Sequence, residues 1–244
     1  TEFARFQAIA PRLMLPSIYG LRCLVWPWDV WRSRRAAAAI RGLLGQLIRP
    51  RFDAHRAGKQ SDTIDILQSF LDAKDQATGE GFSFEELLDQ VAMLFLAGHE
   101  TSASALTWAA YLMANAPDIQ ERMHQEVVMH LADRQPELSD MRYLDLVRNV
   151  FRETLRLFPP VGFMARQSAS ACPMRKKTIE QGATVVVSPW PIQRHREFWG
   201  DPDVFNADRY DNDASRESLK QAYLTFGMGP WVGMGAAISF EAAT

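Results

Sequence analysis

Through the first part of the chain, apolar residues recur at three- and four-residue spacing, the period of amphipathic helices. From Asp29 to Ala57, residues Trp31, Ala36, Ile40, Leu43, Leu44, Leu47 and Ile48 mark one such helix, with Pro50 as a point where it bends or breaks. Ser61 to Lys74 repeats the pattern with Ile64, Ile66, Leu67, Phe70 and Leu71, and the polar, glycine-bearing stretch Gln76 to Gly81 ends it. Ser83 stands three residues before Glu86, the spacing of a capping box, so a new helix starts there. No proline follows from Phe84 to Ala114, and the middle (Val91 to Ala97) is apolar nearly all round, which predicts a long helix buried through the core. Pro117 opens a shorter helix running through His130, and Asp140 to Phe158 forms another that Pro159-Pro160 stops.

Beyond the proline pair the period changes. Thr184, Val185, Val186 and Val187 form a β-branched run after Gly182 and predict a small β-sheet. Phe198 to Arg216 is rich in Asp, Asn and Pro without periodicity and reads as a long ordered loop, because aromatics still punctuate it. A glycine-rich loop and a small-residue helix, Ala236 to Thr244, complete a mainly α chain with one small sheet. Without repeats or linkers, residues 1–244 are expected to form a single domain, cut at both ends.

Composition narrows the function. A formal charge of −2 leaves no basic excess to draw the chain onto nucleic acid or an anionic bilayer. Cys23 and Cys172 stand far apart with no second pair, which fits a reducing, cytoplasmic setting. The apolar stretch Leu13 to Trp28 is broken by Pro16, Gly20, Arg22 and Pro27, so no membrane segment is expected.

Three stretches could carry chemistry. In Ala97-Gly98-His99-Glu100-Thr101, a mid-helix glycine costs about 1 kcal/mol relative to alanine. Either a helix crossing needs a small residue there, or a flat ligand approaches closely. A local kink would then place Glu100 and Thr101 to pass protons. The zinc-protease pattern that His99-Glu100 begins fails, because Ala103 stands where the second histidine belongs. Glu153 and Arg156 share one helix face and are either a solvated surface pair or, in their apolar surroundings, part of a larger buried group with Arg209 as a third member. Within residues 226–235 four glycines fall in nine positions, 227–235, yet Ala236 and Ala237 replace the Lys and Ser/Thr of a phosphate loop, and no acid follows for a dinucleotide fold.

Taken in order and spacing, these stretches resemble the cytochrome P450 family. Ala97 to Thr101 matches its Ala/Gly-Gly-x-Asp/Glu-Thr pattern, Glu153 and Arg156 its Glu-x-x-Arg pair, and Arg209 the arginine that completes that triad. Phe226, Gly229 and Gly235 match its haem loop, Phe-x-x-Gly-x-Arg-x-Cys-x-Gly. The resemblance implies a P450 fold and a haem-thiolate monooxygenase that inserts one oxygen atom from dioxygen into an apolar organic substrate. Electrons would come from a ferredoxin or a flavin reductase. Glu100 and Thr101 would deliver protons, Ala97 and Gly98 would leave room above the haem, and Arg166 would reach a propionate. Phe226, Gly227, Gly229, Trp231 and Gly235 would shape the haem loop, while Glu153, Arg156 and Arg209 would hold the core.

The chain departs from that pattern at two positions that matter to the iron. Gly233 occupies the place of the axial cysteine and Trp231 that of the propionate arginine. Glycine has no side chain to bind iron, and the electron-donating push of a thiolate is lost with it. Trp231 keeps one N–H donor but no charge. Haem binding is therefore expected to be weakened or lost, and two readings stay open: a monooxygenase lacking its metal ligand, or a non-catalytic remnant that binds haem or a small molecule. Met234 and Cys172 are poor stand-ins, the first pointing away and the second lying outside the loop.

Overall fold

The chain is described from a computed structural model, which covers residues 2–240 apart from 22, 23, 60, 133, 230, 231, 234, 237 and 238, with backbone alone for Ser17 and residues 213–216. Cys23, Trp231, Met234 and Thr244 thus lie outside the described residues. The chain divides into two compact units, Thr1–Gly98 and His99–Thr244.

In the first unit, α1 (Glu2–Ile18) packs on α2 (Pro27–Arg56), and the short α3 (Ile66–Asp72) precedes α4 (Phe84–Ala114), whose residues to Gly98 belong here. Pro27 at the first helical turn suits the start of α2, and Pro50 lies inside this helix without ending it. Ile40, Leu44, Ile48, Leu71, Leu87, Leu88 and Ala92 form the buried core. Helix α3 is shorter than the apolar spacing predicts. The Asp65 carboxylate accepts from the Gln68 amide at 2.7 Å and fixes the helix start, which leaves Ile64 fully exposed. The expected capping box opens α4: Ser83 N donates to Glu86 Oε2 at 2.9 Å and Glu86 N to Ser83 Oγ at 3.4 Å.

Helix α4 runs unbroken through Gly98, so no break follows the glycine. Its middle is not buried all round: Met93, Phe95, Ala97 and Gly98 are exposed. The expectation of full burial fails because the described neighbours cover only the face carrying Leu87, Leu88 and Ala92.

In the second unit, α5 (Pro117–Leu131) leads to a 3-10 turn at Leu138–Tyr143 and to α6 (Asp145–Leu157). The helix expected from Asp140 thus begins five residues late. Asp140 is spent on a capping box with Glu137, and α6 starts where the Glu126 carboxylate of α5 accepts from Leu146 N at 2.8 Å and Val147 N at 3.0 Å. Helix α6 ends at Leu157, before the two prolines.

The single expected sheet is two antiparallel pairs, β1 (Met164–Gln167) with β4 (Thr184–Val187) and β2 (Cys172–Met174) with β3 (Lys177–Ile179). After α7 (Pro189–Ile192), the stretch expected as loop contains a 3-10 turn at Ala207–Asp211 and gives way to α8 (Asp213–Ala222). The Asn206 side chain accepts from Asp208 N at 3.0 Å and starts that turn, a local cap that hydrophobic periodicity does not reveal. Among the described residues no helix is long and apolar enough to cross a membrane.

Candidate functional site

Helix α6 carries the densest polar chemistry of the second unit. Nine of its thirteen residues are buried, among them Glu153 and Arg156, both with no exposed surface. A surface ion pair is thereby ruled out. Arg156 Nε donates to Glu153 Oε2 and Arg156 Nη2 to Glu153 Oε1, each at 2.8 Å, a bidentate fork. Arg209 arrives from the 3-10 turn and donates through Nε to Glu153 Oε1 at 3.1 Å. Asn206 N (3.2 Å) and the Tyr210 hydroxyl (2.8 Å) also donate to the same carboxylate. Burial and the neighbouring carboxylate hold the Tyr210 phenol well above its usual pKa, so it stays a donor.

Both guanidinium groups then spend their other N–H bonds on backbone carbonyls. Arg156 reaches Gln193 O (2.8 Å), Pro202 O (2.6 Å) and Val204 O (3.3 Å), while Arg209 reaches Gly200 O, Asp201 O (3.1 Å) and Val204 O (3.2 Å). One carboxylate and two cations thus fold the irregular segment 193–210 against α6. Trp199, 1% exposed, lies 5.3 Å from the Arg156 guanidinium and closes the group. The Arg194 guanidinium stands over the rings of Trp190 and Phe158, at 4.3 and 5.7 Å from their centroids.

Sequence reasoning missed one residue here. Gln193 is completely buried, and its amide bridges α6 and the segment that enters the glycine loop. A lone amide in the Pro-Trp-Pro-Ile-Gln run before Arg194 was the available signal.

The loop itself is set by backbone bonds. Gly227 N donates to Leu224 O at 3.0 Å, Val232 N to Gly229 O at 3.1 Å and Gly233 N to Phe226 O at 2.8 Å. Gly227 and Gly229 adopt φ of +85° and +68°, values that exclude most side chains. Phe226 packs with Tyr223 and Phe240 on Ala105 of α4 and on Phe151 and Leu155 of α6. The loop's first residue, α6 and the later part of α4 therefore share one cluster. Gly235 lies in the helical residues after the loop and is exposed.

Glu100 is exposed and Thr101 half-buried on α4, and Arg166 is exposed on β1, paired across the strands with Val185. A Cβ built at Gly98 would meet nothing within 4 Å, so no crossing helix accounts for that glycine among the described residues.

The haem that the resemblance implies can be tested against the loop. A Cβ at Gly233 would meet only Phe226 O, at 3.5 Å, an ordinary contact, so the turn has space for a cysteine. The side chain is nevertheless missing, and among the described residues no group of His, Cys, Asp and Glu could hold a metal ion. At position 233 the loop offers no side chain that could ligate an iron, so its described residues do not fit a thiolate-ligated haem.

The sequence matches the family description "Cytochrome P450" over residues 10–239. Among its relatives is cyclooctatin synthase of Streptomyces melanosporofaciens, 34% identical over 82% of this chain and 44% of that protein. Pentalenene oxygenase of Streptomyces avermitilis is 33% identical over 68% of this chain and 36% of that protein. The retinoic acid-bound cyanobacterial CYP120A1 superposes with a TM-score of 0.80 at 26% identity, over 96% of this chain and 54% of that one. The chain thus spans about half the length, or less, of these relatives. The match over residues 10–239 makes this chain a member of the cytochrome P450 family.

Proposed function

We propose that the chain belongs to a P450-type monooxygenase that inserts one oxygen atom from dioxygen into an apolar organic substrate, and that as written it does not sustain that reaction. Relatives named as a cyclooctat-9-en-7-ol 5-monooxygenase and a pentalenene oxygenase support the first half. The observation that carries the second half is Gly233, a residue with no donor atom in its side chain, at the position the loop is shaped to present. The chain as it stands is a non-catalytic form of the fold.

In the intact reaction Glu100 and Thr101 are assigned to proton handling, Ala97 and Gly98 to the room beside a flat ligand, and Arg166 to a carboxylate of that ligand. Phe226, Gly227, Gly229 and Gly235 shape the loop, and Trp231, outside the described residues, takes the place of a cation. Glu153, Arg156 and Arg209 hold the segment behind it. A ferredoxin or flavin reductase would supply electrons, and the sparse cysteines agree with work in the cytoplasm.

The test is a visible spectrum of the chain and its Gly233→Cys variant, each offered haem, reduced and placed under carbon monoxide. The variant is expected to give the strongly red-shifted Soret band of a thiolate-bound carbonyl, and the original chain is not. The same band from the original chain would refute the reading, as would a variant that takes up haem without the shift.

A further inference from the structure

We infer that Gln193 is a positioning residue: its side-chain amide sets where the 226–233 loop, and with it position 233, stands against helix α6. The local geometry leaves little choice about what this side chain does. Helix α6 ends at Leu157, so the carbonyls of its last turn have no helical partners. Phe158 N serves one of them, Thr154 O, at 2.7 Å. Gln193 Nε2 serves the next two, Leu155 O at 3.1 Å and Arg156 O at 3.0 Å. On its other side Gln193 Oε1 accepts from Leu224 N at 2.8 Å and from Thr225 Oγ1 at 3.0 Å, a hydroxyl that also has Leu155 O of α6 within 3.2 Å. These are the residues that enter the loop, and Leu224 O in turn accepts from Gly227 N at 3.0 Å, inside its first turn.

One planar amide therefore has both hydrogens on the helix and its oxygen on the loop. Its main chain is fixed as well: Gln193 N donates to Pro189 O at 2.8 Å, and Gln193 O accepts from Arg156 Nη1 at 2.8 Å. A side chain with no exposed surface and bonds on both sides cannot shift without leaving a buried group unpaired. The requirement is also chemically narrow. Glutamate could accept from Leu224 but would turn a buried charge toward two carbonyl oxygens, and lysine could not accept at all. Histidine, with one N–H and one bare nitrogen, can do both in part.

This inference rests on the proposed function only for what position 233 is for. Its test uses this chain without haem, so a failed haem reconstitution leaves it standing. Amide hydrogen exchange is followed by mass spectrometry in the chain and in Gln193→Met, Gln193→His and Thr225→Val. Gln193→Met keeps the length and removes every polar atom. It should speed exchange across residues 224–233 on the order of tenfold, with residues 84–98 of the first unit unchanged. Gln193→His should restore part of the protection. If Gln193→Met does not fold, Gln193→His decides, with an expected increase of about threefold over the original chain confined to 224–233; Thr225→Val, which also loses the bond to Leu155 O, serves only as the comparison for direct loss of a loop contact. Unchanged exchange there in a folded Gln193→Met, or in Gln193→His where Gln193→Met does not fold, would overturn the inference, as would a rise shared evenly across all peptides.

Discussion

Replacing Glu153 by glutamine removes one charge and changes the shape of α6 hardly at all, so its effect isolates what the carboxylate does. The wild-type group accepts five hydrogen bonds, from Arg156 Nε and Nη2, Arg209 Nε, Asn206 N and Tyr210. An amide offers one oxygen where there were two. With its nitrogen at the Oε2 position it faces Arg156 Nε and Tyr210, and Tyr210 alone can turn to accept. With its nitrogen at the Oε1 position it faces three donors, none of which can reverse. Arg156, fully buried, and Arg209, 7% exposed, then keep carbonyl partners but lose their counter-charge. Breaking a buried pair from one side costs about 3–5 kcal/mol, a fifth or more of the roughly 5–15 kcal/mol that holds a domain folded. At about 2 kcal/mol per M of urea, 4 kcal/mol lowers the unfolding midpoint by about 2 M. Urea titrations followed by circular dichroism should show this fall in Glu153→Gln, with segment 193–210 losing exchange protection at low urea. A midpoint within about 0.3 M of wild type would refute the reasoning, since it would mean that backbone carbonyls suffice to keep two cations buried.

Two further outcomes follow from described caps. Ser83→Ala removes the hydroxyl half of the α4 capping box and should cost about 1 kcal/mol, read as roughly fivefold faster exchange in the helix's first turn. Hydrogen bonds from Arg134, joined by the Glu137 amide, hold the Asp140 carboxyl down at about 2. Its ionised form therefore stabilises the fold above the usual aspartate range, and that contribution disappears as pH falls through the lowered value. Asp140→Asn should melt lower than wild type near neutral pH, with the gap closing between about pH 4 and pH 2. A gap that stays constant across that window would contradict the assignment.

Helix existence was legible wherever apolar spacing and a cap agreed, as at Ser83, while helix limits were legible only where the stop signal was local. Pro159 and Pro160 end α6 as read. Its beginning was misplaced because the group that caps it, Glu126, is twenty residues upstream in sequence and adjacent only in space. Asp65 and Asn206 moved two other boundaries by the same kind of side-chain capping. At the candidate site, motif spacing brought out Glu153, Arg156 and Arg209, whose contacts span more than fifty residues. It could not bring out Gln193, since an amide that bridges two backbones leaves no periodic or charge signature. The exposed middle of α4 was misread because hydrophobicity reports what a surface prefers, whereas burial depends on which neighbours the chain provides.

Among the described residues, the bonds within the turn before residue 233 are made by main-chain atoms: Gly233 N to Phe226 O, Val232 N to Gly229 O, Gly227 N to Leu224 O. None calls for a particular side chain at 233, and the space beside it is open. Scaffold and reactive group are consequently separable properties of this fold. The turn is thus a frame in which residue 233 can be exchanged without the loss of any described bond.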